Sequence, residues 1–288
     1  MSTSVLITGR TSVLGQACYA HLKNAGYRVQ SMSLRTDNWK NESFESYHHL
    51  LHVAGIAHVS YQQQDASIYD TVNHQLTIEV AKKAKLDGVK QFIFFSTMLV
   101  LGESTKKNQP FTLSSPPNPQ NPYSLSKHHA EEALLKLADE DFMVTILRLP
   151  FVYGPKAKGN YGKLSRLALK LPFFVKTTNQ RSMLYIGHLT HWVEAVIQHP
   201  FTGFVYPQND DLVSTSDLFK TIRAVHGKNT WLIPGLGWGF RFISPIHPVL
   251  RKLFASLAYA EETKQPLHVK DVVSFETSIK ESEATNHE

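Results

Sequence analysis

The sequence has almost no cysteine. Cys18 is the single cysteine among 288 residues, so no disulfide can form within the chain. This scarcity is typical of a reducing compartment, and we expect a cytoplasmic protein in which Cys18 is a small apolar packing residue. The N-terminus reaches VLIT without a basic segment, an apolar stretch and a cleavage site, which predicts no signal peptide.

Long apolar runs and basic blocks are also missing. The most apolar region, 231–259, is interrupted by Pro234, Arg241, Pro245 and Arg251, so we expect no transmembrane segment there but a helical part of a small domain. The formal net charge of +6 is spread without a Lys/Arg block, which predicts no nucleic-acid partner. A small acidic ligand such as a nucleotide fits this charge equally well.

Strand and helix patterns alternate along the first half of the chain. We predict strands at 4–8, 27–34, 50–55, 91–96 and 143–149, and helices at 14–25, 68–87 and 124–139. Such alternation predicts an α/β fold, a Rossmann-type doubly wound parallel sheet with a smaller mixed C-terminal region.

The predicted division places the Rossmann domain at 1–155. Residues 156–288 form mainly a substrate-binding region, from which some segments return to the Rossmann core. The polar stretch 35–50 is too short for a helix and a strand, so we expect a trimmed sheet edge there. The charged tail after Lys280 is expected to fray.

The segment TGRTSVLG, Thr8 to Gly15, follows the first strand and opens the first helix. Gly9 and Gly15 keep the outer places of a TGxxGxxG phosphate-binding pattern, while Ser12 takes the place of the middle glycine. A tight turn before a helix is the simpler interpretation. The residues expected to bind the cofactor here are Gly9, Arg10, Ser12, Val13, Leu14 and Gly15.

The second predicted strand ends at Arg35. A carboxylate at this place would bind the ribose 2′-hydroxyl of NAD, whereas an arginine suits the 2′-phosphate of NADP. With Arg10 nearby in the loop, the sequence favours NADP as cofactor, with NAD possible. The alternative is that both arginines are solvated surface residues.

A tyrosine and a lysine stand four residues apart in YSLSK, as Tyr123 and Lys127. This spacing puts both on one helix face. Lowering a phenol pKa by about three units requires roughly 4 kcal/mol, and we expect the ammonium and a nearby cationic nicotinamide together to supply it. Thr97 closes a strand at the carboxyl edge, where parallel sheets bind ligands, and its hydroxyl could share a substrate oxygen with Tyr123; a strand-end cap is the alternative.

These segments together resemble the extended short-chain dehydrogenase/reductase superfamily, in particular its NAD-dependent nucleotide-sugar epimerases, dehydratases and reductases. The likeness runs from about residue 4 to residue 200 and weakens beyond. The matching segments are TGRTSVLG, HVAGIAHV, VNHQLT, FFSTMLVLGE, PYSLSK, LRLPFVYGP, KGNYGKL and NQRSMLYIGHL.

The resemblance implies a role for each matched residue. Thr97, Tyr123 and Lys127 would be the catalytic residues, with Tyr123 as general acid and base. Ala54, Gly55, Pro150 and Val152 would contact the cofactor. Arg181 would bind the pyrophosphate of a UDP-sugar, and Asn160 would lie near its nucleotide. The family's usual homodimer pairs the helices near 70–87 and 124–139 with their twins.

Three residues depart from the family's pattern. Ser12 replaces a glycine, Phe151 stands where many epimerases have an asparagine, and Gly187 stands where an aspartate is common. Met98 and Leu99 follow Thr97 where dehydratases carry an Asp-Glu pair, and neither can transfer a proton, which argues against a dehydratase.

With dehydration excluded, the family's reactions that remain are reduction and epimerisation, and both act at C4 of the sugar. Because Arg10 and Arg35 suit NADPH, we favour reduction of a UDP-4-keto-6-deoxy-N-acetylhexosamine over the alternative, a UDP-N-acetylglucosamine/UDP-glucose 4-epimerase. A non-catalytic NADP-binding sensor or scaffold is the alternative of another class.

The histidines show no metal-binding spacing, so no metal is expected. His188 and His191 lie on one turn but lack a recognisable third ligand, and His58 could face a phosphate.

Overall fold

The core of the protein is one parallel sheet. The computed structural model describes residues 3–57, 65–105, 109–156, 160–234, 255–264, 267 and 269–284. The strands within these ranges are β1 Ser4–Thr8, β2 Arg28–Met32, β3 His49–His52, β4 Gln91–Thr97, β5 Met143–Leu149, β6 Phe151–Tyr153, β7 Phe173–Val175, β8 Met183–Tyr185, β9 Gly203–Val205 and β10 Trp231–Ile233. Six of them form the parallel sheet in the order β2-β1-β3-β4-β5-β9.

The described residues include eight α-helices. They are α1 Val13–Asn24, α2 Asp65–Tyr69, α3 Leu76–Leu86, α4 Pro122–Leu137, α5 Asn160–Lys170, α6 Ile186–Gln198, α7 Thr215–Val225 and α8 Phe275–Ala284. A π-helical segment, Asp70–Gln75, joins α2 to α3, so the helix predicted at 68–87 consists of three consecutive pieces.

Both faces of the sheet are covered, because neighbouring residues of a buried strand point to opposite sides. On one face Val5 and Ile7 pack with Cys18 of α1 and with Trp192 of α6. On the other face Leu6 packs with apolar residues of α3 and α4. This arrangement confirms the doubly wound α/β fold.

The strand order reverses between β1 and β3. The chain goes from β1 outward to β2 and then returns to β3 on the other side of β1. At such a switch point the loops after the two strands part and leave a crevice at the carboxyl edge. The loop 9–12 and the segment 53–57 border this crevice.

The trimmed sheet edge is confirmed. Between β2 and β3 the chain forms only a short 3-10 helix, Asp37–Asn41, and no further strand. Trp39 and Phe44 are buried against the same core as α3 and α4. Two aromatic side chains thus cover the core where a helix and an edge strand would otherwise do so.

The region after residue 155 is mixed, as expected. β6 pairs with β8 and β7 with β10, both in parallel, and these pairs pack with α5, α7 and α8 around a separate apolar cluster. α6 and β9 belong to the main sheet layers. The domain boundary at 155 stays a prediction.

The expectation of a frayed tail after Lys280 is wrong for residues 281–284, which complete α8. Glu283 is buried and accepts hydrogen bonds from Ser165 at 2.8 Å and from His226 at 2.9 Å. The charged residue therefore anchors the last helix.

Cys18 is fully buried, and burial raises its thiol pKa to about 12, which confirms its packing role.

Helices in the described part of the chain lack the combination of length and apolar character that crossing a bilayer requires. The helical part predicted in the apolar region 231–259 falls largely on residues 235–254, which lie outside the described residues.

Candidate active site

Two glycines allow the loop after β1 to pack closely. Gly9 has φ +84°, and a Cβ there would lie 3.0 Å from the amide nitrogen of Ala54, at the end of the segment that follows β3. A Cβ on Gly15 would lie 2.9 Å from the carbonyl oxygen of Gly9. Both contacts are with backbone atoms that cannot rotate away. The helix, the loop and the Ala54 segment can meet only with glycine at these positions.

Ser12 needs no glycine conformation. Its φ of −72° and ψ of 135° are ordinary extended values, and it caps α1 by accepting a hydrogen bond from Gly15 N at 3.4 Å. The Ser12 hydroxyl can still donate its own proton to a second acceptor. The amides of Val13 and Leu14, in the first turn, have no acceptor within the helix. The end of α1 is thus built to face an anion.

Arg35 reaches the same loop from the end of β2. Its Nη2 donates to Thr11 Oγ1 at 3.3 Å, and the side chain is exposed, as is that of Arg10. The structure therefore brings the second-strand arginine to the glycine-rich loop, as the sequence predicted. β2 is the edge strand of the sheet, so this corner opens to solvent.

Local sequence fixes the start of α4. Asn121 accepts from Ser124 N at 2.9 Å, Ser124 Oγ accepts from Asn121 N at 3.3 Å, and Pro122 takes the first helical position. This capping box sets the first turn, which carries Tyr123.

The three predicted catalytic side chains come together here. Thr97, at the end of β4, lies near enough to the Tyr123 phenol to act on its pKa. Lys127 is 5% exposed, and its Nζ donates to Phe95 O at 2.9 Å.

Burial dominates the pKa values of both Tyr123 and Lys127. Burial raises the Tyr123 pKa to about 12, although the hydrogen bond from Thr97 acts in the opposite direction. Burial also lowers the Lys127 pKa to about 7, against the attraction of Glu131. The amine donates to the carbonyl of Phe95, and desolvation is the largest cause of both pKa shifts.

Asn73 is a site residue whose role the sequence did not reveal. Its Oδ1 accepts from Ile56 N at 2.9 Å, and its Nδ2 donates to Ile56 O at 3.0 Å and to Ser126 Oγ at 3.2 Å. A Cβ on the neighbouring Gly55 would lie 3.0 Å from Asn73 Oδ1 and 3.3 Å from Lys127 Nζ. Asn73 thus clamps the segment after β3 against α4, with Gly55 directly beside the lysine.

His52 is a second missed residue. It is fully buried and lies between Thr8 Oγ1, at 3.0 Å, and Thr77 Oγ1, at 3.1 Å. Thr77 in turn donates to Asn73 O at 2.9 Å. A continuous row of hydrogen bonds therefore links the end of β1 to Asn73. A histidine between apolar residues in a strand was the available signal.

The family departures have local explanations. A Cβ on Gly187 would lie 2.5 Å from Cε1 of Tyr185, so the tyrosine ring occupies the space a larger side chain would need. Met98 is buried in an apolar cluster and Leu99 is half-buried, which leaves no proton donor directly after Thr97. The structure gives no account of Phe151, which packs beside the C-terminal cluster.

The residues expected to contact the nicotinamide and the substrate lie on the later segments. Pro150 and Val152, at the junction of β5 and β6, are half-buried. Arg181 pairs in an antiparallel bridge with Val213, and its burial lowers the guanidinium pKa. Asn160 is the first residue of α5, and His58 lies outside the described residues.

Comparison with known proteins identifies the lineage of this arrangement. The model of the NAD dependent epimerase/dehydratase family matches residues 5–206. The chain belongs to this family. The match spans the glycine-rich loop, Thr97 and the YSLSK segment, so the resemblance seen in the sequence is confirmed.

One relative of this epimerase/dehydratase chain is the UDP-glucose 4-epimerase of Vibrio cholerae. The two are 34% identical over 206 residues, which are 68% of this chain and 62% of the relative. An undecaprenol-linked N-acetylglucosaminyl 4-epimerase of Escherichia coli O157:H7 is 32% identical over 143 residues, 48% of this chain and 42% of the relative. The chain thus spans about half of the length of the curated relatives it matches.

Solved structures support the fold. The UDP-N-acetylglucosamine 4-epimerase from Bacillus cereus superposes with a TM-score of 0.79 at 17% identity, covering all of both chains. The enzyme WbmG of Bordetella bronchiseptica, solved in complex with NAD, gives a TM-score of 0.76 at 20% identity, covering 100% of this chain and 94% of the other.

Proposed function

We propose that this member of the family is an NAD(P)-dependent UDP-sugar 4-epimerase. The observation that carries the proposal is that Lys127, one turn after Tyr123, lies beside Gly55, whose neighbour Ala54 packs against Gly9 of the glycine-rich loop. The names of the similar proteins, among them two 4-epimerases of UDP-sugars, support the same reaction.

The residues of the crevice fit a dinucleotide. Gly9, Ser12 and the first-turn amides of α1 would hold its pyrophosphate, Arg35 the adenosine ribose, and Lys127 beside Gly55 the nicotinamide ribose. Ala54, Pro150 and Val152 would border the rings. When bound, the cofactor supplies hydride exchange at C4 of the sugar.

The chain's own contribution is to move a proton. Tyr123 would take the proton of the C4 hydroxyl and return it to the C4 oxygen, while Thr97 holds that oxygen in place. The phenol pKa of about 12 keeps it protonated at neutral pH before ligands bind. Base catalysis by Tyr123 would therefore require an added positive charge, which an oxidised nicotinamide would supply.

A second candidate, reduction of a UDP-4-keto-6-deoxy-N-acetylhexosamine, has observations in its favour. A protonated Tyr123 is already the acid that a ketone reduction needs. Arg35, at the glycine-rich loop, suits the 2′-phosphate of NADPH. Dehydration is not proposed, because Met98 and Leu99 cannot transfer protons.

The substrate side would involve Arg181 and Asn160. Burial disfavours the charged form of Arg181, and a substrate diphosphate at hydrogen-bonding distance would offset that cost. Asn160, at the start of α5, would contact the nucleotide.

The chain would work in the cytoplasm as a homodimer through α3 and α4. Leu86 on α3 and Leu125 on α4 are 86% and 43% exposed, which leaves apolar surface on both helices for a second copy.

The deciding experiment assays the full chain for both candidate reactions. One arm supplies UDP-glucose or UDP-N-acetylglucosamine with NAD and measures the 4-epimer by chromatography. The other supplies NADPH and the 4-keto sugar and follows loss of nicotinamide absorbance. Epimer without net cofactor consumption supports the epimerase, whereas consumption supports the reductase.

The variant Tyr123→Phe should lower the observed rate about 10²- to 10⁴-fold, the range expected for loss of a general acid-base. Tyr19→Phe, on α1, is the matched control and should be as active as the wild type. Cofactor binding without either reaction, unaffected by Tyr123→Phe, would instead indicate a sensor or scaffold.

A further inference from the structure

Two histidines and a glutamate meet between α1 and α6. His21 lies in the last turn of α1. His191 and Glu194 are three residues apart on α6, a spacing that puts them on one helix face. One ligand atom from each residue can be chosen so that all three lie within 4.8 Å of one another. The sequence could not show this cluster, because 170 positions separate His21 from His191.

The geometry is close to that of a metal site. His21 Nε2 lies 2.7 Å from Glu194 Oε2, and the two imidazole rings stand 4.4 Å apart, centroid to centroid, at 67°. Zinc bonds of about 2.0–2.2 Å in a tetrahedral site separate neighbouring ligand atoms by roughly 3.4 Å. A shift of less than about 1 Å between His21 and Glu194 would therefore admit an ion.

The carboxylate is already oriented. The second oxygen of Glu194, Oε1, accepts from Gln198 Nε2 at 3.4 Å, and the same amide donates to the Tyr27 hydroxyl at 3.3 Å. Outer contacts of this kind fix a ligand's direction and tune a metal site. The Oε2 atom is thus left facing the histidines.

Burial and charge suit a cation. The side chains of His21 and Glu194 are 21% and 20% exposed, so the cluster is shielded yet reachable from solvent.

We propose that His21, His191 and Glu194 form a binding site for a divalent transition metal, with Zn²⁺ as the first choice. Two imidazole nitrogens and one carboxylate oxygen form a borderline ligand set that suits Zn²⁺, and water completes the coordination. The site joins α1 to α6 on the sheet face opposite α4, so its role is structural rather than catalytic.

A second cluster serves as the internal control. Asp70, His74 and His129 also place ligand atoms within 4.8 Å of one another. Their side chains are more exposed, at 39%, 28% and 44%, and the second oxygen of Asp70 is held by Gln75 at 2.7 Å. Greater exposure makes this cluster the weaker metal ligand set.

The test is a Zn²⁺ titration of the untagged full chain against a chromophoric chelator, repeated with Co²⁺ to read the coordination from its visible spectrum. We expect one tight equivalent in the wild type. His21→Gln, His191→Gln and Glu194→Gln should each weaken binding at least about tenfold. His74→Gln and His129→Gln should leave it unchanged.

Two further measurements distinguish the loss of a metal ligand from misfolding of the variant. Glu194→His replaces one ligand by another and should retain the tight equivalent. Saturating Zn²⁺ should raise the Tm of the wild type by about 5 °C and that of His21→Gln by much less. A wild type without a stoichiometric site, or one lost only in the His74 and His129 variants, would overturn the proposal.

Discussion

At the residue scale, His52 shows how a polar side chain is tolerated in the middle of a sheet. Both ring nitrogens have a threonine hydroxyl as partner, so no buried polar atom of the ring is left unsatisfied. Burial, followed by the charge of Lys127, lowers the imidazole pKa to about 3. The histidine is therefore neutral in the folded protein throughout the physiological range.

This shift predicts a pH dependence of stability. The unfolded chain binds a proton at His52 near pH 6.5, while the folded chain does so only near pH 3. The stability that depends on neutral His52 is therefore complete above pH 6.5 and is lost as the pH falls towards 3. At pH 5 the free energy of unfolding should be lower than at pH 7 by about 2 kcal/mol from this group alone.

Urea denaturation from pH 7 to pH 4.5 measures the effect. His52→Gln does not titrate and should have a flatter profile than the wild type, whereas His199→Gln, at an exposed position, should follow the wild type. Parallel profiles for His52→Gln and the wild type would contradict the assigned pKa.

At the element scale, the cap of α1 explains how the chain does without the middle glycine. The backbone of Ser12 is in an ordinary region and its side chain replaces a missing helical acceptor. Ser12→Ala should lower the free energy of unfolding by about 1 kcal/mol, whereas Ser12→Gly should cost only a few tenths. Chemical denaturation of the two variants compares them directly. A larger loss for Ser12→Gly would show that the hydroxyl is not the stabilising feature.

The position of α4 depends on a buried ion pair. Arg148 of β5 donates to Glu131 through Nε at 3.1 Å and through Nη2 at 2.7 Å, and the two residues are 5% and 1% exposed. Because α4 also carries Tyr123 and Lys127, this pair fixes the helix of the proposed catalytic residues against the sheet.

Removing one partner of the Arg148–Glu131 ion pair should lower the free energy of unfolding substantially. Glu131→Gln leaves the guanidinium buried without its counter-charge and should destabilise the protein by about 3–5 kcal/mol. The double variant Glu131→Leu with Arg148→Met removes both charges and should lose less. Equilibrium unfolding of the two variants tests this order, and a single variant as stable as the wild type would refute it.

At the scale of the whole molecule, the exposed leucines of α3 and α4 predict the assembly. Light scattering should give the mass of two chains, and the double variant Leu86→Glu with Leu125→Glu should give the mass of one, because two charges would be buried in the interface. Leu212→Glu, which is 40% exposed outside these helices, is the control and should stay dimeric. A wild type that is monomeric at all concentrations would rule the dimer out.

Much of the fold could be read from the sequence. The first and fifth strands, at 4–8 and 143–149, have the predicted bounds, since short apolar β-branched runs have few alternatives to a buried parallel strand. The interruption of the helix predicted at 68–87 by a π-helical segment was not foreseen. It follows from the tertiary contacts of Asn73 with Ile56 and Ser126 and has no local signal.

The sequence by itself determined the sheet, the glycine-rich loop and the spacing of Tyr123 and Lys127, because each depends on neighbours in the chain. Only the tertiary structure decided the protonation of Tyr123, the clamp made by Asn73 and the meeting of His21 with His191 and Glu194. Desolvation and contacts between distant segments depend on which elements pack together, and that information is spread over the whole chain.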